Sequence, residues 1–394
     1  MQPLISRAKL RANAHLPLAS IVLALLLFPL IAAQFGNAWV RIMDLALMYI
    51  MLALGLNIVI GFAGLLDLGY IAFYAVGAYL SGLFASPQFA VLLGSLVEHY
   101  PAFGHWLIQL CGPAIAHDGI HLPVWLIVPF SAALAGLFGI LLGAPTLKLR
   151  GDYLTVVTLG FGEIIRILII NLNDPINITD GPKGINMIDP VSIFGISLHG
   201  EADSHAIVHI GSIAMPSVNA YYFLFLALCG AIIFVTVRLQ HSRLGRAFVA
   251  IREDETAAKA MGINTSQIKL LAFAMGASFA GVAGAMFAAF QGYISPESFS
   301  LNESVTVLSM VVLGGMGHIP GVILGAVLLT GLPEILRYLV EPLQQLLFGQ
   351  VLIPSEILRQ LLMGLAMILI MLYRPAGLWP ATRHEDRLHK SPAG

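Results

Sequence analysis

The segment RLQHSRLGRAFVAIREDETAAKAMGINTSQIK, Arg238–Lys269, is the most densely charged stretch of the sequence and lies between two strongly apolar runs. From about Leu244 to Gly262 it is rich in good helix formers, and Gly262 followed by Asn264 supplies a helix stop. Its apolar residues are placed to form one stripe: Leu244, Phe248, Ile251 and Met261. The pattern predicts a short charged helix that offers a contact to a soluble partner. A positively charged loop that only fixes membrane orientation would have the same composition.

The composition around this segment predicts a polytopic helical membrane protein. The 394 residues are 58% hydrophobic and only 10% charged, whereas ordinary soluble domains carry about 25% charged residues. Apolar strings of roughly 20 residues recur along the whole chain. No basic, aromatic-interleaved patch indicates nucleic-acid binding, and the two cysteines, Cys111 and Cys229, predict neither a disulfide nor a metal site.

The apolar runs predict an all-α fold with about ten transmembrane helices. The first run follows Arg7, Lys9 and Arg11 and is interpreted as a retained helix rather than a cleaved signal peptide. The eighth run is short for a crossing, and a re-entrant segment would change the count. The predicted spans are 16–33, 39–60, one ending near Ala85, 124–143, 153–171, 220–237, 268–290, 304–313, 322–339 and 356–373.

The distribution of basic residues predicts that both termini lie in the cytoplasm. With ten crossings, all but five of the 20 Lys and Arg residues fall in cytoplasmic segments. The five exceptions are Arg41, Arg166, Lys183, Arg337 and Arg359. Residues 1–394 then form a single transmembrane domain, in which 238–269 and the tail 374–394 are cytoplasmic and the loops 86–123 and 171–219 are external.

Charged residues inside apolar runs are few, and each needs a partner or water at that depth. Glu163 and Arg166 are three residues apart on one predicted helix and can neutralise each other. We predict a structural intramembrane pair, with a role in a transport pathway as the alternative. Asp44 and Asp67 are the other acidic residues of this kind.

Two glycine-rich stretches, one in each half of the chain, predict interruptions in membrane helices. Asp67 is surrounded by Gly61, Gly64 and Gly69, and the second stretch is GGMGHIPG, 314–321. Broken helices can expose backbone groups to a cavity, so we predict a substrate route where the two stretches meet. Glycine is also common where spans pack tightly, which is the alternative interpretation.

Motifs for chemistry within this chain are missing from the sequence. Neither GxxxxGK[ST] nor GxSxG occurs, so we predict no ATP binding through a P-loop and no enzymatic activity. His205 and His209 have metal-compatible spacing in an external polar loop, but we predict no metal site and no cofactor bound by this chain.

An ordered series of motifs resembles the permease subunits of bacterial ABC transporters for branched-chain amino acids, specifically the longer of the two permease types. The series covers most of the chain from about Leu45 to Pro380. The motifs are GLNIVIGFAGLLDLGYIAFYAVGAY (55–79), LRGDYLTVVTLGFGEIIRILIIN (149–171), TDGPKGI (179–185), LGRAFVAIREDETAAKAMGI (244–263) and SPESF (295–299) leading to VVLGGMG (311–317).

This resemblance implies a bacterial inner-membrane subunit that pairs with a second, related permease. Two cytoplasmic ATPase subunits, which would bind ATP and Mg, would drive the pair, and a periplasmic solute-binding protein would feed it through the external loops. The implied ATPase-coupling residues are Arg246, Arg252, Glu253, Asp254, Glu255, Ala257, Ala258 and Gly262. The implied translocation-path residues are Gly61, Gly64, Asp67, Gly69, Tyr70, Gly314, Gly315 and Gly317.

The sequence departs from the commoner pattern of the wider family at Asp67 and Tyr70, where Ser and His are frequent. The related permeases for urea and short amides share most of these motifs, so they are the alternative within the same class. An ion-coupled secondary transporter is a third possibility, because Asp44, Asp67 and Glu163 could titrate.

Overall fold

The structure, a computed structural model, describes residues 20, 23–29, 31–32, 36–146, 149, 151–193, 196–198, 207–210, 213–348, 350, 354–374 and 377–379. The helices after residue 36 are α1 (Asn37–Asn57), α2 (Ile71–Phe84), α3 (Gln88–His99), α4 (Pro101–Cys111), α5 (Pro113–Asp118), α6 (Val124–Thr146), α7 (Asp152–Asn171), α8 (Ser217–His241), α9 (Arg243–Glu253), α10 (Glu255–Ala260), α11 (Thr265–Gln291), α12 (Leu301–Gly314), α13 (Ile319–Phe348) and α14 (Ser355–Tyr373). A π-helical turn, Ile58–Phe62, continues α1, and 3₁₀ turns occur at Gly181–Lys183 and Pro296–Phe299.

The described helices confirm an all-α polytopic membrane protein. Six of them are long and apolar enough to cross a membrane, and the bent pair of α2 and α3 makes seven if it is counted as one span. The first predicted span, 16–33, lies largely outside the described residues. The number of ten crossings, with both termini inside, therefore stays a prediction.

The described residues of the two loops predicted to be external contain regular structure. Residues 86–123 contain the three helices α3, α4 and α5. Residues 171–219 contain two antiparallel hairpins, which are a small β addition to the helical fold. Their strands are β1 (Ser192–Ile193), β2 (Ile196–Ser197), β3 (Ile207–Ile210) and β4 (Ile213–Pro216).

Helix α11 lies at the centre of the bundle and packs against α1, α2 and α6. Its buried face is composed largely of glycine and alanine, which lets neighbouring backbones approach closely. A side chain at Gly77 of α2 would lie 2.3 Å from the Gly281 carbonyl oxygen, and one at Gly281 would lie 2.5 Å from the Ser131 oxygen of α6. Three helices therefore meet around α11 with no space for even a methyl group at these points.

We expect Gly77→Ala to destabilise the protein, because the added methyl group would meet backbone atoms of α11. Overpacking of this kind typically costs about 1–3 kcal/mol, which would appear as a lower melting temperature in detergent micelles. The matched control is Gly230→Ala in α8, where an added methyl group meets nothing within 4 Å. Equal melting temperatures for the two variants would show that close packing at α11 is not limiting.

Candidate functional site

The first glycine-rich stretch is a true helix break inside the membrane layer. The chain leaves the π-helical turn at Phe62, runs without regular structure to Tyr70 and then starts α2. Gly69 packs against Thr158 and Gly162, which lie well inside the span formed by α7. Non-helical backbone is tolerated at this depth only where protein or water satisfies its polar groups.

Side chains and backbone from neighbouring elements satisfy this break. The Leu68 amide donates to the Thr158 hydroxyl oxygen at 3.2 Å, and the Leu68 carbonyl accepts from the Ser304 hydroxyl of α12. The Gly69 amide donates to an Asp67 carboxylate oxygen at 2.9 Å. The first break is thus bonded to both α7 and α12.

The second glycine-rich stretch forms a tight turn between α12 and α13. Gly317 has a φ of +83°, a conformation that favours glycine, and its amide donates to the Asn57 side-chain oxygen at 2.8 Å. The segment after α14 also bonds to this turn, since the Trp379 amide donates to the Gly314 carbonyl at 3.2 Å. The His318 ring nitrogen Nδ1 lies 2.8 Å from the Trp379 carbonyl oxygen.

The two breaks contact one another, as the sequence led us to expect. A side chain at Gly61 would lie 2.5 Å from the Gly317 nitrogen and 2.0 Å from the Asn57 oxygen. We call this contact of Asn57, Gly61 and Gly317 the helix-break junction. Asp67 and Tyr70, also predicted for the path, are almost fully buried within the subunit, and the Tyr70 hydroxyl donates to the Gly276 carbonyl of α11 at 3.0 Å.

The charged segment forms two helices where the sequence predicted one. The chain is extended at Asp254, and this residue caps α10 by accepting from the amides of Thr256 at 2.7 Å and Ala257 at 3.0 Å. A capping carboxylate competes with continuation of the helix, so α9 ends one residue earlier. The single-helix prediction over 244–262 was wrong in this respect.

The predicted apolar stripe is only partly formed. Phe248 and Ile251 are buried, whereas Leu244 is 38% exposed and Met261 is 83% exposed. Helix α9 therefore packs on the membrane domain through Phe248 and Ile251. Among the predicted coupling residues, six are exposed, Glu255 is partly exposed and Ala258 is buried; the exposed set is Arg246, Arg252, Glu253, Asp254, Ala257 and Gly262.

Arg252 links this charged segment directly to the helix-break junction. Its Nη1 donates to the Gly61 carbonyl, and the same nitrogen lies 2.9 Å from the place where a side chain at Gly317 would begin. Its aliphatic stem lies against Gly64, where an added methyl group would be 2.8 Å from Cγ. One side chain thus contacts both glycine-rich breaks.

A second charged contact fixes the segment to the central helix. Lys269 of α11 bonds Glu255 at 2.7 Å, and their side chains are only 6% and 30% exposed. Arg252, Glu255 and Lys269 line a cavity of about 290 Å³ together with Gly64, Leu66 and other residues of the first break. The cavity places polar groups between the charged segment and the first break.

The intramembrane acids differ in their surroundings. Arg166 donates to Glu163 Oε1 through Nε at 2.9 Å and also through Nη2, so the predicted pair is present. Asp44 is fully buried, and neither of its carboxylate oxygens has a hydrogen-bond partner among the described residues. Tyr49 donates to Glu303 of α12, an acid that the sequence interpretation missed.

The sequence interpretation missed several residues at the breaks because one sequence does not show what they contact. Asn57, Thr158 and Ser304 each satisfy backbone groups of a break that is distant in the chain. A lone polar residue in an apolar run was the available signal, since such residues bond to neighbouring helices. Their partners depend on the tertiary fold.

Comparison with known proteins now decides the family. Residues 38–371 match the family described as "Branched-chain amino acid transport system / permease component". The chain belongs to this permease family. The resemblance predicted from the sequence motifs is confirmed, and the protein is a multi-pass membrane permease.

Individual relatives agree with this family. The high-affinity branched-chain amino acid transport system permease protein LivM of Escherichia coli strain K12 is 40% identical over 361 residues, which cover 90% of this chain and 73% of that protein. The probable branched-chain amino acid transport permease protein LivM of Methanocaldococcus jannaschii is 27% identical over 349 residues, covering 84% and 90%. LivH of E. coli K12 is 38% identical over 106 residues, covering 27% and 34%. No solved structure matches.

A histidine joins the two loops that the sequence predicts to be external. His121 Nδ1 donates to Asp189 Oδ2 at 2.6 Å, and its Nε2 donates to the Asp118 carbonyl. Both ring nitrogens face acceptors, so only the imidazolium satisfies both. The hydrogen bond to Asp189 accordingly raises the pKa of His121 above its ordinary value of 6.5.

We expect this ion pair to stabilise the external loops at acidic pH. Because the pKa of His121 is raised in the folded state, the ion pair makes its full contribution to the free energy of unfolding below about pH 6.5. That contribution is lost as the pH rises through the raised pKa. The side chains are 38% and 40% exposed, so the contribution is below about 1 kcal/mol. Melting temperatures of the parent and His121→Gln should differ at pH 5.5 and converge at pH 9. His117→Gln, on exposed α5, is the control; a constant difference across this range would exclude the titration.

Proposed function

We propose that this chain is the permease subunit of a bacterial inner-membrane ABC importer that translocates branched-chain amino acids by ATP-driven alternating access. The family match over residues 38–371 supports this function, as does the similarity to LivM proteins whose names specify branched-chain amino acid transport. The chain itself would catalyse no reaction. ATP and Mg would be bound by partner subunits.

The proposed assembly contains a second permease, two cytoplasmic ATPase subunits and a periplasmic solute-binding protein. The partial similarity to LivH supports a related permease as a partner. The external helices and hairpins would receive the binding protein, and the exposed charged face of α9 and α10 would dock on an ATPase. Selectivity can then come from the binding protein as well as from this chain.

The contact of Arg252 with both breaks carries the proposed mechanism. Closure of the ATPases would displace α9 and α10, and Arg252 would transmit that movement to the Gly61 carbonyl and the Gly317 turn. Hinges need a few residues that absorb backbone rotation, and the two glycine-rich breaks provide them. The substrate's apolar side chain suits the mostly apolar helices around the junction.

Import of urea or short amides is the competing substrate class, and ion-coupled transport is the competing mechanism. We expect ATP-dependent uptake of labelled leucine into proteoliposomes that contain the full complex and binding protein, with isoleucine and valine competing. Labelled urea in parallel is the control substrate. Uptake of urea alone would overturn the assignment of branched-chain amino acids as the substrate class. Uptake of leucine without ATP would overturn the ATP-driven mechanism and favour ion coupling, which the buried Asp44 could support.

We expect Arg252→Gln to uncouple ATP hydrolysis from transport while the complex still assembles. The substitution removes a charge-assisted hydrogen bond of about 1.5–3 kcal/mol, or roughly tenfold or more in rate. The measurement is leucine uptake per ATP hydrolysed by the purified complex.

The matched control for this variant is Arg243→Gln on the same helix, because Arg243 is exposed. An unchanged uptake-to-ATP ratio in Arg252→Gln would exclude transmission through Arg252. Loss of assembly would instead make Arg252 a docking residue.

A further inference from the structure

The Glu163–Arg166 pair lies in an unusual place for an ion pair. Glu163 is at the middle of the membrane span formed by α7, and the side chains of Glu163 and Arg166 are 40% and 31% exposed. Charged side chains at this depth face a bundle interior or a water-filled cavity rather than lipid. The edge of α7 that carries the pair is therefore covered by water or by another protein chain.

The pair lies beside the first break and beside the turn that precedes α12. Gly162, beside Glu163 in the chain, packs against Gly69 of the first break. The 3₁₀ turn Pro296–Phe299 leads into α12, packs against α7 and carries the exposed acid Glu297, which interacts electrostatically with Arg166. Three charged groups thus surround the point where chain breaks lie inside the membrane.

The pair has bonding capacity that the subunit does not use. Arg166 donates with Nε and Nη2 to the same oxygen, Oε1 of Glu163. Among the described residues, no hydrogen bond is made by Glu163 Oε2, by Arg166 Nη1 or by the Glu297 carboxylate. The Arg166 Nη1 donor and the acceptor oxygens of Glu163 and Glu297 are therefore free to bond to a ligand.

The start of α12 adds a further polar element. Leu301 and Asn302 at this helix N-terminus are exposed, and α12 has only 14 residues, too few for a full crossing. Discontinuous helices with N-termini inside the membrane frame the substrate sites of several transporter folds. Here the N-terminus directly follows the turn that carries Glu297.

We propose that Glu163, Arg166 and Glu297 form a zwitterion-binding site on a water-filled face between this chain and its partner permease. Arg166 would donate to the substrate carboxylate, and Glu163 with Glu297 would accept from its ammonium group. The inference deepens the proposed function and rests on it. It also favours amino acids over urea, which is uncharged and offers no carboxylate to Arg166.

A purely structural pair predicts a different response to exchange of the two charges. In the double variant Glu163→Arg, Arg166→Glu, an i,i+3 ion pair can still form on α7, so a structural role would leave leucine uptake intact. The proposed site would lose the placement of its charges relative to Glu297. We expect uptake to fall by about tenfold or more, with assembly of the complex unchanged.

Accessibility provides a second readout that does not depend on transport. In a background in which Cys111 and Cys229 are replaced by Ser, Glu163→Cys should react with a charged, membrane-impermeant methanethiosulfonate reagent in the assembled complex. The matched control is Ile164→Cys, at the same depth, about 100° around α7 and 57% exposed. A lipid-facing cysteine stays protonated and unreactive.

The outcomes separate this inference from the function on which it rests. A parent complex without ATP-dependent leucine uptake would overturn the proposed function itself. A parent that transports leucine, combined with a charge-exchanged variant that transports equally well, would overturn only the zwitterion site. Equal labelling of Glu163→Cys and Ile164→Cys would overturn it as well.

Discussion

Close backbone packing around α11 is the constraint on which the other features depend. Lipid is as apolar as the side chains, so burial supplies little drive for helices to associate, and van der Waals contact must do so. Gly276 and Gly281 on α11 meet Gly55 of α1 and Gly77 of α2 at distances that only glycine allows. These contacts fix α1 and α2 against α11. Because the first break is the segment that connects α1 to α2, its position is fixed as well.

Once α1 and α2 are fixed, the break between them must have its polar groups satisfied without water. Thr158 and Ser304 supply one bond each to Leu68, from α7 and α12. Asn57 performs the same task for the Gly317 amide at the second break. The two breaks, which meet where Gly61 contacts Gly317, are therefore each held by polar side chains of neighbouring helices.

The charged segment that contains α9 and α10 is tied to that structure at two points. Arg252 bonds the Gly61 carbonyl, and Glu255 bonds the largely buried Lys269 at the start of α11. A partly buried, charge-assisted contact is stronger and more directional than an exposed one. Helices α9 and α10 are thus joined to the first break and to α11 by side chains in direct contact.

The sequence by itself determined the membrane class, most span positions, the permease family and the two glycine-rich interruptions, because hydrophobic length and local motifs are properties of neighbouring residues. It also predicted the Glu163–Arg166 pair, since both residues lie on one helix. The break at Asp254 was missed because helix propensity is a weak prior and the capping bonds of one carboxylate prevailed. Only the tertiary structure brought Arg252 to Gly61, Asn57 to Gly317 and Glu297 to Arg166. These partners are separated by more than one hundred residues, and their proximity follows from how the helices pack.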